Sequence, residues 1–309
     1  MKKNAKPVWT VVFTAAILLV ICVLGVLCWY LFSIYSSGKE SDGLKDIVMV
    51  SSSVVDTDSY DDKPSSSVVS KNTDSKGSSD TSADTDQKKQ VSSKKKDTDT
   101  DTEKNKAPKK EIINNGINFT KLWEINEDVY AWIKVPNTPI DYPVLQYAGD
   151  DSFYLEHSVF KQYSFGGSIY TEKLNSKDFS DPNTVLYGHN LLNGTMFAGL
   201  HNFRDPNFFA QNPYIYIYMP DRTLTYLIFS AYEYDDRHIL YSFDFDDDEV
   251  FEEYLEYAKN PENSMTYNTR EVDVTTDDTI ITLSTCMDDI ATSRYLVQGV
   301  LISNDPASE

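Results

Sequence analysis

From Val8 to Phe32 the chain runs 25 residues without a charge. A helix of that length crosses the hydrocarbon of a bilayer, so the rest of the chain must fold around a membrane-spanning segment. Lys2, Lys3 and Lys6 precede the run, while Lys39 and Glu40 follow it. That basic flank predicts the amino terminus inside and the bulk of the chain outside. A secretory signal peptide is the competing reading, but its apolar region is shorter and ends in small residues at a cleavage site. Here the run ends Leu27-Cys28-Trp29-Tyr30, with an aromatic pair suited to the membrane interface. The expectation is a cytoplasmic terminus over 1–7 and an uncleaved single-pass anchor over 8–35.

Residues 36–110 are Ser, Thr, Asp and Lys, with Tyr60 an isolated aromatic. Such a composition cannot bury enough apolar surface to offset the entropy of ordering, and a disordered tether is expected. A flexible chain of that length has an end-to-end distance of roughly 45–50 Å. The run Asp97-Thr98-Asp99-Thr100-Asp101 invites a calcium reading, yet it lacks the glycine and the closing glutamate of a calcium loop. Residues 111–309 hold 11 basic and 33 acidic residues, a net charge of −22. Nucleic-acid binding through a basic surface is therefore excluded.

In the carboxy-terminal domain Phe119, Leu122, Trp123, Ile125 and Val129 predict one or two short amphipathic helices reaching Tyr130–Ile133. Pro136, Pro139 and Pro143 interrupt strand-like residues and suit a sheet edge. Asn183–Tyr187 reads as a strand that delivers His189 at its end. Tyr214–Tyr218 and Thr223–Ser230 form a hairpin about Pro220-Asp221. Asp246–Lys259 predicts the longest helix of the domain, with an acidic first turn and an apolar face of Phe251, Tyr254, Leu255 and Ala258. Short strands without βαβ alternation point to a mainly β domain, a barrel or sandwich.

Cys22 and Cys28 fall in the span, which leaves Cys286 as the lone thiol outside the cytoplasm. Cysteines there normally pair, so an unpaired one points to a reactive nucleophile rather than a packed core residue. It ends the β-branched run Thr279–Leu283 and precedes Arg294, which opens a second strand over Tyr295–Ile302. Of four histidines, His157 reads as structural, His201 as packing or surface, and His238 as solvated; His189 is the partner expected for the thiol. No paired Cys/His spacing points to a metal.

Thr282-Leu283-Ser284-Thr285-Cys286, Tyr187-Gly188-His189-Asn190 and Arg294 together resemble the sortases of Gram-positive bacteria, over about residues 119–304. The helices ahead of the barrel and the helix before the cysteine strand are similar to class B. The resemblance implies a closed sortase β-barrel, Cys286 as nucleophile, His189 as acid and base, and Arg294 as stabilising cation. Ser284 and Thr285 line the approach to the thiol and are candidate substrate-binding residues. No cofactor is implied. The implied donor is a secreted protein with a carboxy-terminal sorting signal, cleaved after a threonine. The acceptor is an amine on a lipid-linked peptidoglycan precursor or, in a pilus polymerase, a pilin lysine. A plain cysteine protease and a tethered adhesin are the alternatives outside transpeptidation.

Overall fold

The structure is a computed structural model that describes residues 8–49, 113–114, 116–261, 264–287 and 292–306. α1 (Val8–Val48) is one unbroken helix. The tether expected from residue 36 therefore does not begin there, and its remainder lies outside the described residues. Leu44 and Val48, four residues apart and so on one helix face, are buried in a cluster with Ile117, Phe119, Leu122 and Trp132. Lys45 pairs with Asp141 at 3.8 Å and lies over the Tyr142 ring. The apolar patch of Leu44 and Ile47–Val50 is short, and the long polar segment that follows it masks it in a reading based on overall composition. Met49 then forms an antiparallel bridge with Ile117, so the chain before and after residues 50–112 meets again.

β1 (Ile113–Asn114) and β2 (Ile117–Asn118) pair across a turn that holds Gly116 at φ 85°, a left-handed value that favours glycine. Asn118 caps α2 (Phe119–Ile125) by accepting from the Lys121 N–H. The helix stops at Ile125, short of the expected Tyr130–Ile133, because Val129–Lys134 forms β3 instead. A strand buried on both faces and a short helix carry the same apolar density, and over six residues periodicity does not separate them.

The remaining elements are β4 (Asp141–Leu145), a 3-10 turn (Phe153–Leu155), β5 (Ile169–Tyr170), β6 (Asn183–Tyr187), a 3-10 helix (Phe197–Arg204), α3 (Pro206–Gln211), β7 (Tyr214–Tyr218), β8 (Arg222–Asp235), α4 (Ile239–Ser242), α5 (Asp248–Lys259), β9 (Tyr267–Thr269), β10 (Ile280–Cys286) and β11 (Ser293–Pro306). Eight strands pair in the order β11-β10-β6-β5-β4-β3-β7-β8, and β8 pairs back onto β11. The expected barrel is thus closed. Pro143 sits within the ring rather than at an edge: it lies opposite Trp132, while short β5 begins its pairing only at Val144. Its missing N–H therefore breaks no rung of the ladder.

The barrel interior holds Ile133, Val144, Leu186, Ile217, Leu283 and Val297. α5 covers one outer face with the four residues expected, Phe251, Tyr254, Leu255 and Ala258, against Val185, Ile280 and Leu296. A buried polar chain underlies that contact. The Thr282 hydroxyl donates to Asn183 Oδ1 at 2.8 Å, and Gln298 Nε2 donates to Thr282 Oγ1 at 2.9 Å and to Tyr254 Oη at 2.7 Å. It ties β6, β10, β11 and α5 together on the face of β10 that ends in Cys286.

Candidate active site

β6 and β10 are parallel neighbours, in register from Asn183↔Ile280 to Tyr187↔Ser284. Parallel strands end at the same side of a sheet, and two residues past the last pair are His189 on one and Cys286 on the other. Gly188 N–H donates to Ser284 O at 3.2 Å, and the Thr285 hydroxyl donates to Gly188 O at 2.8 Å. A Cβ at Gly188 would lie 2.5 Å from Ile169 Cδ1 and 2.7 Å from the Phe197 ring, so only glycine lets the chain pass there. On the other flank β11 runs antiparallel and sets Arg294 opposite Cys286. Adjacent strands lie about 4.8 Å apart. Three neighbouring strands thereby bring thiol, imidazole and guanidinium together, and all three residues line one open cleft of about 220 Å³.

Cys286 is exposed at the end of its strand. Its carbonyl accepts from Asn190 Nδ2 at 3.2 Å and from His201 Nε2 at 3.1 Å. His201, expected as a packing or surface residue, thus holds the backbone at the thiol, its ring 5.2 Å from that of Tyr295. Arg204 Nη2 reaches the Met287 sulfur at 3.0 Å and steadies the next residue. His189 Nε2 lies 2.8 Å from Leu155 O. A carbonyl only accepts, so Nε2 carries the proton and Nδ1 is the nitrogen left to exchange one. The Phe165 ring lies nearly parallel to the imidazole, with centroids 6.3 Å apart.

Ser284 and Thr285 also line the cleft, yet both are buried, and the Thr285 hydroxyl is occupied by Gly188. Its bond holds the segment that carries His189. His157 stacks on Phe153 at 3.9 Å and bonds its carbonyl, a structural role.

The far wall of the cleft is where sequence reasoning falls short. His238, expected in solvent, has Nε2 2.8 Å from the Glu172 carboxylate, and both residues line the cleft with Tyr187, Tyr234 and Arg237. No motif links positions so distant in the chain. The only signal is an acid two residues past the Ile169-Tyr170 strand and a histidine among charged residues. Tyr187 Oη, Tyr234 Oη and His238 Nδ1 are buried in this wall without a hydrogen-bond partner among the described residues. Burial, with Glu172 next in effect, pushes the Tyr170 and Tyr187 phenols up, and burial does the same to Tyr234. All three remain neutral donors at any pH near neutrality.

Comparison with known proteins matches the sortase-domain family model to residues 133–302, from β3 into β11. Sortase B of Listeria monocytogenes is 33% identical over 184 residues, an alignment that spans 59% of this chain and 73% of the relative. Among solved structures, Clostridium perfringens sortase B superposes with a TM-score of 0.54 at 36% identity, covering 60% of this chain and 100% of that one. A substrate complex of Staphylococcus aureus sortase B superposes with a TM-score of 0.53 at 30% identity, covering 60% of this chain and 84% of that one.

Proposed function

The chain belongs to the sortase family as a class B member, and from that premise we propose a residue-level mechanism for it. Sortases are cysteine transpeptidases that attach proteins to the cell wall, and this chain is such an enzyme. In the proposed reaction the Cys286 thiolate attacks the carbonyl carbon of the scissile peptide bond. The C–N bond breaks, His189 protonates the departing amine, and a thioester to Cys286 remains. An incoming amine attacks the thioester carbonyl and gives its proton to His189, and the Cys286 thiolate leaves. Arg294, always charged, stabilises the oxygen on which negative charge develops in both steps.

The observation that carries this reading is the strand arithmetic. Parallel register between β6 and β10, and the Cys286↔Arg294 pair between β10 and β11, bring the three groups to one cleft. The donor is a secreted protein with a carboxy-terminal sorting signal, and the acceptor is an amine of a peptidoglycan precursor. The apolar stretch Val12–Ser33 of α1, none of it buried, serves as the membrane anchor, with Lys2, Lys3 and Lys6 inside and the barrel outside.

Mass spectrometry of the protein with a panel of sorting-signal peptides tests the mechanism. The expected result is an acyl adduct on Cys286 that an added amine resolves faster than water does, absent in Cys286→Ala. Turnover without any adduct, or an adduct that water alone resolves, would remove transpeptidation through Cys286.

A further inference from the structure

We propose that the barrel rests on the membrane with its active-site end down, through an aromatic surface loop beside the foot of α1; this builds on the anchor reading above. The direction follows from topology. β4 is parallel to β5, and β5 is antiparallel to β6, so the start of β4 lies at the same end of the barrel as the end of β6. α1 meets the barrel there. Lys45 pairs with Asp141, the first residue of β4, and Leu44 and Val48 are buried just beyond. From Lys45 the helix runs back toward its apolar stretch, and Tyr30 lies about 22 Å down its axis. With Tyr30 at Phe165 and Phe165 over His189, the apolar stretch thus leaves the barrel from the end that carries His189 and Cys286.

A direct contact closes the distance. The Tyr30 ring, at the foot of the apolar stretch, meets the Phe165 ring edge-on at 5.2 Å, and Phe165 in turn lies over His189. The loop that carries Phe165 also displays Phe160 and Tyr163, exposed by 37% and 58%. Its backbone is well held. Ser158 N–H donates to Gln162 O at 2.8 Å, Lys161 N–H donates to Ser158 O at 2.9 Å, and Lys161 pairs with Asp128 at 2.9 Å. A fixed loop that presents aromatic rings to solvent, continuous with the membrane-boundary residues of a span, has the chemistry of an interfacial anchor. The barrel's acidity would repel an anionic surface, so the contact depends on ring burial rather than on charge. Docked this way, the cleft opens at headgroup level, where a lipid-linked amine is presented. The Met49–Ile117 bridge means that residues 50–112 need not span the gap between membrane and barrel.

The test uses the full chain in phosphatidylglycerol–phosphatidylethanolamine vesicles, with Cys22, Cys28 and Cys286 changed to alanine. A spin label is placed singly at Val20→Cys, Tyr163→Cys or Asp221→Cys. Asp221 lies in the β7–β8 turn, at the end of β11 opposite Arg294. Accessibility to oxygen against a water-soluble nickel chelate reads depth. The expected result is a deep label at 20, an interfacial label at 163 and a fully aqueous one at 221. A deep label at 20 with 163 as aqueous as 221 overturns the docking and leaves the anchor standing. An aqueous label at 20 overturns the anchor, and the docking with it. As a functional arm, Phe160→Ser with Tyr163→Ser in the otherwise native chain is expected to lower transfer to a lipid-linked amine about five-fold while soluble-peptide cleavage is unchanged. Equal effects on both reactions would likewise overturn the proposal.

Discussion

The two walls of the cleft are built by different means. On one wall, Cys286 and Arg294 are rungs of a continuous backbone ladder, and His189 is two residues past the end of another. On the other wall, Glu172 and His238 leave strand ends into loops and hold each other by a single charge-assisted bond of 2.8 Å. A ladder fixes a residue through many bonds that no one substitution removes, while a side-chain pair is undone by changing either partner. The ladder wall therefore suits chemistry, which needs tight geometry, and the pair wall suits recognition, where adjustment is tolerated.

The sharpest way to break that division is at the ladder itself. Cys286→Ala is expected to abolish adduct formation and transfer, a loss of at least about 10³-fold, since no second thiol lies outside the span. Arg294→Lys keeps the charge but loses the planar donor fork, and a fall of about 10²-fold in kcat is expected, with KM little changed. Steady-state kinetics with one peptide donor and a soluble amine would read both. If Arg294→Lys instead raised KM alone, the ladder wall would be binding substrate rather than stabilising charge.

This division also explains what the sequence revealed. Ile280–Leu283 and Tyr295–Ile302 are β-branched and aromatic runs whose ends are marked by polar residues, so Cys286 and Arg294 could be placed at strand boundaries from residue type alone. The Asp248–Lys259 helix was equally plain, because its apolar face repeats at helical spacing. The Glu172–His238 pair, and His201 on the Cys286 carbonyl, depend on contacts between segments far apart in sequence. No local pattern encodes these. Likewise, the docked end of α1 rests on Leu44 and Val48, part of a short apolar patch (Leu44 and Ile47–Val50) at the edge of a long polar segment, and its partner surface lies far away in sequence.

A smaller effect probes the join between β6 and β10. Thr285→Val keeps the shape but removes the hydroxyl that donates to Gly188 O. A net loss of about 1 kcal/mol in holding the His189 segment corresponds to roughly five-fold in kcat, and Thr285→Ser should restore it. If Thr285 instead contacts substrate, KM would move and the serine variant would rescue only in step with it. On the far wall, Glu172→Gln leaves a hydrogen-bond acceptor for His238 but removes the charge. A two- to five-fold rise in KM with kcat nearly constant is expected, and a fall in kcat comparable to that of Arg294→Lys would erase the distinction between the walls.

The smallest expected effect belongs to Tyr170, which lies between the two walls and touches the electrostatics of both. Its phenol is pushed up mainly by burial, then by Glu172, Cys286 and Asp151, with Arg294 opposing. The folded protein thus holds the phenolic proton more tightly than the unfolded chain, whose phenol titrates near 10. The stability this contributes is complete below that pH and is lost as pH rises above it toward the folded value. Within the working range the ring is therefore a neutral spacer. Tyr170→Phe should leave the alkaline limb of the pH–kcat/KM profile where it is, while thermal stability measured above pH 10 should fall less steeply than in the native chain. A shift of the alkaline limb in that variant would mean that the phenol titrates together with the thiol, and the two walls would then have to be treated as one coupled site.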